Sequence, residues 1–90
     1  MEVKIIDFTG NWCSTCQVLD KLIESEIIPK YKNKVKFVKI DVEGNENLIK
    51  RYDILSVPTL ILLENNKEIW RKSGSISKDD LTKELNKAIK

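Results

Sequence analysis

Trp12-Cys13-Ser14-Thr15-Cys16 contains both of the chain's cysteines, separated by two residues. A strand-like run, Val3-Lys4-Ile5-Ile6-Asp7-Phe8, leads into it through the polar turn Thr9-Gly10-Asn11. Beyond it an apolar pattern begins, with Val18 and Leu22 on one line and Leu19, Ile23 and Ile27 on its neighbour. Steps of four residues predict a helix. The cysteines therefore fall where a strand ends and a helix starts, and unpaired N–H groups and the positive end of the helix dipole converge there. Such surroundings favour a thiolate at Cys13. Cys16, one helical turn further in, is expected to face the core and to be reached only by its partner. One reactive thiol and one resolving thiol are what thiol–disulfide exchange needs.

Ninety residues suit a single small domain, expected over residues 1–90. The net charge of +2 arises from Lys and Asp/Glu mixed along the chain without a block of one sign. Neither a nucleic-acid nor a membrane partner is expected on that pattern. No apolar run is long enough to span a bilayer and no signal peptide opens the chain, so a cytoplasmic location is expected. Two cysteines in one short loop do not make a secreted disulfide scaffold. Histidine is absent, which removes Cys–His catalysis and leaves no four-ligand zinc set within one chain. Neither a metal nor another cofactor is expected.

The helix after the cysteines carries its apolar stripe to about Ile28, where Pro29 should break or kink it. Val35 to Val42 reads as a second strand, parallel to the first through a right-handed crossover. Gly44-Asn45 starts a short helix, with Asn45 as N-cap and Leu48, Ile49 and Tyr52 inward. Val57-Pro58-Thr59 precedes a third strand, Leu60-Ile61-Leu62-Leu63. Asn65-Asn66 signals a hairpin into a fourth strand, Lys67 to Lys72, closed by Gly74. Ser77-Lys78-Asp79-Asp80 is a capping-box pattern for a last helix with Leu81, Leu85, Ala88 and Ile89 on one face.

This order of elements resembles the thioredoxin family from Val3 to about Ile89. Trp12-Cys13-x-x-Cys16 is similar to the family's active-site turn, and Asp7, six positions before Cys13, falls where the family keeps a buried aspartate. Val57-Pro58-Thr59 resembles its cis-proline loop, and Gly74 the glycine beside that loop. The resemblance implies a minimal thioredoxin fold of the α/β class. Its mixed sheet would have four strands in the order second, first, third, fourth, with an antiparallel last hairpin and three helices on both faces. It also implies roles: Cys13 as nucleophile, Cys16 as resolving thiol, Asp7 as proton acceptor. Trp12, Val57, Pro58 and Gly74 would form the substrate-docking surface. Disulfide-bearing proteins would be the substrates, a reductase or dithiol carrier would recycle a monomeric protein, and no bound cofactor is needed.

Several positions depart from the family pattern. Ser14-Thr15 replaces the usual Gly-Pro between the cysteines, Gln17 a common basic residue, Thr9 a common tryptophan and Lys21 a helix proline. Phe37 reads as standing where a lysine often pairs with the buried aspartate. That would leave Asp7 desolvated without a counter-charge and raise its pKa. Ser73 and Ser75 beside Gly74 predict a polar groove. A Trp-Cys-x-x-Cys turn without Gly-Pro also resembles the thioredoxin-like domains of membrane electron-transfer systems. A glutathione-dependent glutaredoxin-like enzyme, a disulfide oxidase or isomerase, and a non-catalytic binding module are the alternatives.

Overall fold

Strand β1 (Val3–Thr9) is covered on both faces and buried along almost its whole length. Val3, Ile5, Asp7 and Thr9 point to one side, and Ile6 and Phe8 to the other, as the two-residue period of a strand requires. The structure, a computed structural model, describes residues 2–89; Met1 and Lys90, at the ends of the expected domain, lie outside the described residues. β1 pairs in parallel with β2 (Val35–Asp41) and antiparallel with β3 (Thr59–Glu64), which pairs antiparallel with β4 (Lys67–Ser73). The sheet order is β2-β1-β3-β4, the order the resemblance implies.

The helical run after the disulfide differs from expectation at its end. Helix α1 (Ser14–Leu22), a π-helical segment (Ile23–Ile27) and α2 (Ile28–Tyr31) follow one another without a gap. Pro29 has no N–H for the carbonyl four residues back, and its ring crowds that carbonyl. The chain widens instead of stopping: the Ile28 N–H bonds the Ile23 carbonyl, five residues earlier. Leu19, Ile23 and Ile27 stay buried, whereas Val18, expected on the inner stripe, is 73% exposed. Tyr31 closes the run, its hydroxyl donating to Asn86 Oδ1 at 2.7 Å.

Leu81 and Leu85 of α4 (Lys78–Ala88) join that helical run on the Val3/Ile5 side of the sheet. Ser77 caps α4, its Oγ accepting the Asp80 N–H at 3.1 Å. Helix α3 (Glu46–Tyr52) covers the other side, over Ile6, Phe8, Ile61 and Leu63. Asn45 precedes α3 without a side-chain cap bond; its amide donates to the Asp41 carbonyl at 2.6 Å instead. Asn65 and Asn66, at φ 52° and 70°, form the hairpin turn, matching the twist of β3 and β4. A bulge opposite Leu62/Leu63 leaves Ile69 out of the pairing. Among the described residues no helix is long and apolar enough to cross a membrane.

Candidate active site

Strand register brings the site together. Thr9 pairs with Asp41, Phe8 with Thr59, and Thr59 with Ser73. The turn after β1, the loop before β3 and the end of β4 therefore meet at one end of the sheet.

Cys13 and Cys16 are joined as a disulfide, with Cα atoms 5.2 Å apart. Cys13 is the N-cap of α1 with extended backbone, and its Sγ accepts the Cys16 N–H at 3.0 Å. That donor, with the dipole behind it, favours negative charge on Cys13 sulfur once the bond opens. Cys16 is fully buried and Cys13 is only partly covered, so an incoming thiol or disulfide meets Cys13 first. The Cys13 N–H donates to the Gly10 carbonyl at 3.1 Å, and the Gln17 amide to the Asn11 carbonyl at 2.7 Å. A Cβ at position 10 would stand 3.0 Å from the Trp12 ring, so Gly10 lets the indole lie against the turn.

The Val57–Pro58 peptide is cis. Gly74, at φ 88°, donates its N–H to the Pro58 carbonyl at 2.8 Å, tying the end of β4 to the loop. Trp12, 71% exposed, and Val57 border an apolar groove of about 200 Å³ together with Ile54 and Leu55. Gly74, Ser73 and Ser75 do not border this groove; the Ser73 hydroxyl pairs with that of Thr59 at 3.1 Å.

A second buried acid beside Asp7 is a feature the sequence did not announce. Asp7 is buried, and so is Asp20 on α1. The Thr9 hydroxyl donates to Asp20 Oδ2 at 2.8 Å, while Asp7 Oδ1 and Asp20 Oδ1 are buried without a partner. Lys39 Nζ is 3.8 Å from Asp20 Oδ2 and 3.2 Å from Glu24 Oε2. Phe37 was expected at the lysine position, but Phe37 pairs with Ile5 and it is Lys39 that stands opposite Asp7. The counter-charge is therefore present. The Asp7 pKa is nevertheless pushed up to about 8, first by burial and then by the hydrogen bond and like charge of Asp20, which outweigh Lys39. Among the described residues no cluster of three or more acidic, thiol or imidazole groups is placed to hold a metal ion.

Residues 1–87 match the family model described as Thioredoxin. The chain belongs to the thioredoxin family. A thioredoxin from Buchnera aphidicola is 38% identical over 85 residues, covering 94% of this chain and 78% of that protein. The thiol:disulfide interchange protein DsbD of Campylobacter jejuni is 40% identical over 87 residues, but the chain spans only 15% of its length. Among solved structures, thioredoxin-2 of a malaria parasite superposes with a TM-score of 0.90 at 28% identity, covering 96% of this chain and 82% of that one. Thioredoxin NaTrxh from Nicotiana alata gives 0.89 at 31% identity, covering 99% and 75%. The thioredoxin-family chain thus carries a Cys-x-x-Cys pair joined as a disulfide at the start of α1.

Proposed function

We propose that the chain reduces protein disulfides, cycling Cys13 and Cys16 between dithiol and disulfide. The observation that carries this reading is the asymmetry of the pair: a partly covered Cys13 sulfur with an N–H donor, and a fully buried Cys16. Cys13 thiolate attacks a substrate disulfide, forms a mixed disulfide and expels the first substrate thiolate. Asp7 takes the Cys16 proton, Cys16 sulfur attacks Cys13 sulfur, and the second substrate thiolate leaves. A buried carboxyl held near neutrality in pKa is suited to accept a thiol proton and give it up again. Trp12, Val57 and Gly74 form the docking surface, where an extended substrate segment lies along the loop before β3; Pro58, itself fully buried, shapes that loop rather than touching the substrate. Disulfide-bearing proteins are the substrates, and a reductase or dithiol carrier returns the electrons. The absence of any cysteine beyond the active pair suits a reducing compartment, the cytoplasm.

A second reading comes from the similarity to DsbD, a protein whose name describes interchange rather than reduction. On that reading the chain passes electrons between two fixed dithiol partners.

Equilibration of the protein against a dithiothreitol or glutathione series, followed by Trp12 fluorescence, tests the direction. A midpoint below about −230 mV supports reduction, and one above about −180 mV replaces it with oxidation or shuffling. A midpoint between these limits, with weak activity on general protein disulfides, favours interchange between dedicated partners.

A further inference from the structure

Two carboxylates are buried beside the helix that carries Cys16, and the cycle above uses only one. We propose that Asp7 and Asp20 share a single proton and that Asp20 passes it to solvent through the cleft between α1 and β2, away from the docking groove. This rests on the reading of Asp7 as proton acceptor and extends it.

Three observations carry the proposal. The first is charge. Asp7 is 5% and Asp20 7% exposed, and each keeps one oxygen without a partner. Facing Asp7 are Thr9 on its own strand, Asp20 and Glu24 from the helical run, Lys39 from β2 and apolar Leu60 from β3. Lys39 is therefore one cation among three carboxylates, is 55% exposed along its side chain, and lies closest to Glu24. Two adjacent buried carboxylates with that little compensation are more stable holding one proton between them than fully ionised.

The second observation is the shape of the space around them. A small cavity of about 70 Å³ is bordered by Asp7, Asp20, Glu24 and Lys39. An open cleft of about 420 Å³ is bordered by Thr9, Asp20, Glu24 and Lys39, but not by Asp7. Asp20, Glu24 and Lys39 border both spaces, and of the two acids among them Asp20 is the buried one, placed between Asp7 and the water of the cleft.

The third is position. The cleft shares none of its lining residues with the groove beside Trp12 and Leu55. Asp7 and Thr9 point to the α1 side of β1, whereas Ile54 and Val57 pack with the cluster on the α3 side. A substrate seated on the residues of the groove touches none of those that line the cleft.

When the mixed disulfide resolves, Asp7 accepts the Cys16 proton as Asp20 releases its own to water in the cleft. Cys16 sulfur then forms its bond to Cys13 sulfur, the bond from Cys13 to the substrate breaks, and the substrate leaves as thiolate. The acid pair ends the step as it began, with one proton.

Carbon-13 titration of the carboxyl groups in the intact protein tests the pairing, and the pH profile of mixed-disulfide resolution in a single turnover tests its use. In the parent protein both carboxyl carbons should move in the same two steps. In Asp20→Asn, the Asp7 step should fall by roughly one pH unit or more, as a like charge disappears and an amide able to donate to the Asp7 carboxylate takes its place. The alkaline-rising limb of resolution should fall with it, and the plateau rate should drop several-fold. Independent single-step titrations in the parent, or an Asp7 step that stays put in Asp20→Asn, overturn the shared proton. A resolution profile unchanged in Asp20→Asn but slowed in Asp7→Asn overturns Asp20 as the outlet and leaves Asp7 as acceptor. Profiles unchanged in both variants are the failure of the acceptor reading itself, whatever the carbons show.

Discussion

Asp7 makes the fold's stability depend on pH in a direction opposite to that of a salt-bridged carboxylate. Its pKa rises from 3.8 to about 8 on folding, so between those values the folded protein holds a proton that the unfolded chain has lost. Its contribution is complete below pH 4, declines as pH rises through the window, and changes no further above about 8. Asp7→Asn removes this titration. The variant should match the parent near pH 4 and exceed it at pH 8 by about 5 kcal/mol in denaturant unfolding of the oxidised form. Parallel pH curves for the two proteins would show that Asp7 does not hold its proton. Asp7 was legible from its spacing to Cys13, but its surroundings were not. Lys39 could have been found by laying Val3-Lys4-Ile5 against Val35-Lys36-Phe37 in parallel register, which puts position 39 beside position 7. Asp20 had a weaker signal: it lies four residues after Cys16, on the line of the most buried helical position. An aspartate inside a helix reads by default as surface, and only the packing of α1 on β1 shows otherwise.

At the scale of elements, the strands, the hairpin and the α4 cap follow from local patterns, because each is set by residues within a few positions of one another. The π-helical segment does not. Pro29 forbids one bond, but whether the helix stops or widens is decided by Tyr31 and Ile27 finding their places under α4 and the sheet. The hold on the end of α3 was equally hidden, since it joins residues far apart in the chain. Asp53 takes the left-handed conformation after Tyr52, and the carbonyls of both residues point out of the helix end. Arg71 on β4 donates to the Tyr52 carbonyl at 2.8 Å and to that of Asp53 at 3.4 Å, while Glu68 grips the other side of the guanidinium at 2.7 and 2.8 Å. The Glu68 pair is near the surface and contributes little; the helix-end carbonyls matter more. Arg71→Ala should cost about 1 kcal/mol in urea unfolding and speed amide exchange at Asp53 and Ile54, whose N–H groups close the last turn. Arg71→Lys should recover only part of this, because an ammonium cannot fork between two carbonyls and a carboxylate. Unchanged exchange at Asp53 and Ile54 in Arg71→Ala would mean that α3 ends there unaided.

Across the whole molecule, the sheet separates two openings that serve different parts of the proposed cycle. In that proposed cycle proton traffic uses the polar cleft beside Asp20 on the α1 side, and substrate contact the apolar groove beside Trp12 on the α3 side. This division explains how a chain of 90 residues can expose large apolar side chains at one end without losing its core. Leu55 is 90% exposed and Trp12 71%, and both border the groove rather than fill the interior. On the proposed cycle Leu55 contributes to contact with a partner and, being exposed, almost nothing to folding. Leu55→Ser should leave unfolding within about 0.5 kcal/mol of the parent. It should raise the KM for a protein disulfide by roughly fivefold, the loss of about 1 kcal/mol from an apolar side chain partly covered on docking. Exchange with a small disulfide such as oxidised dithiothreitol needs Cys13 but not the groove rim, and should run at the parent rate. An equal loss on both substrates would place Leu55 in the chemistry rather than in docking, and no loss on either would move the docking surface elsewhere. Only a split between the two substrates agrees with a groove that recognises polypeptide while the disulfide itself is left unaltered.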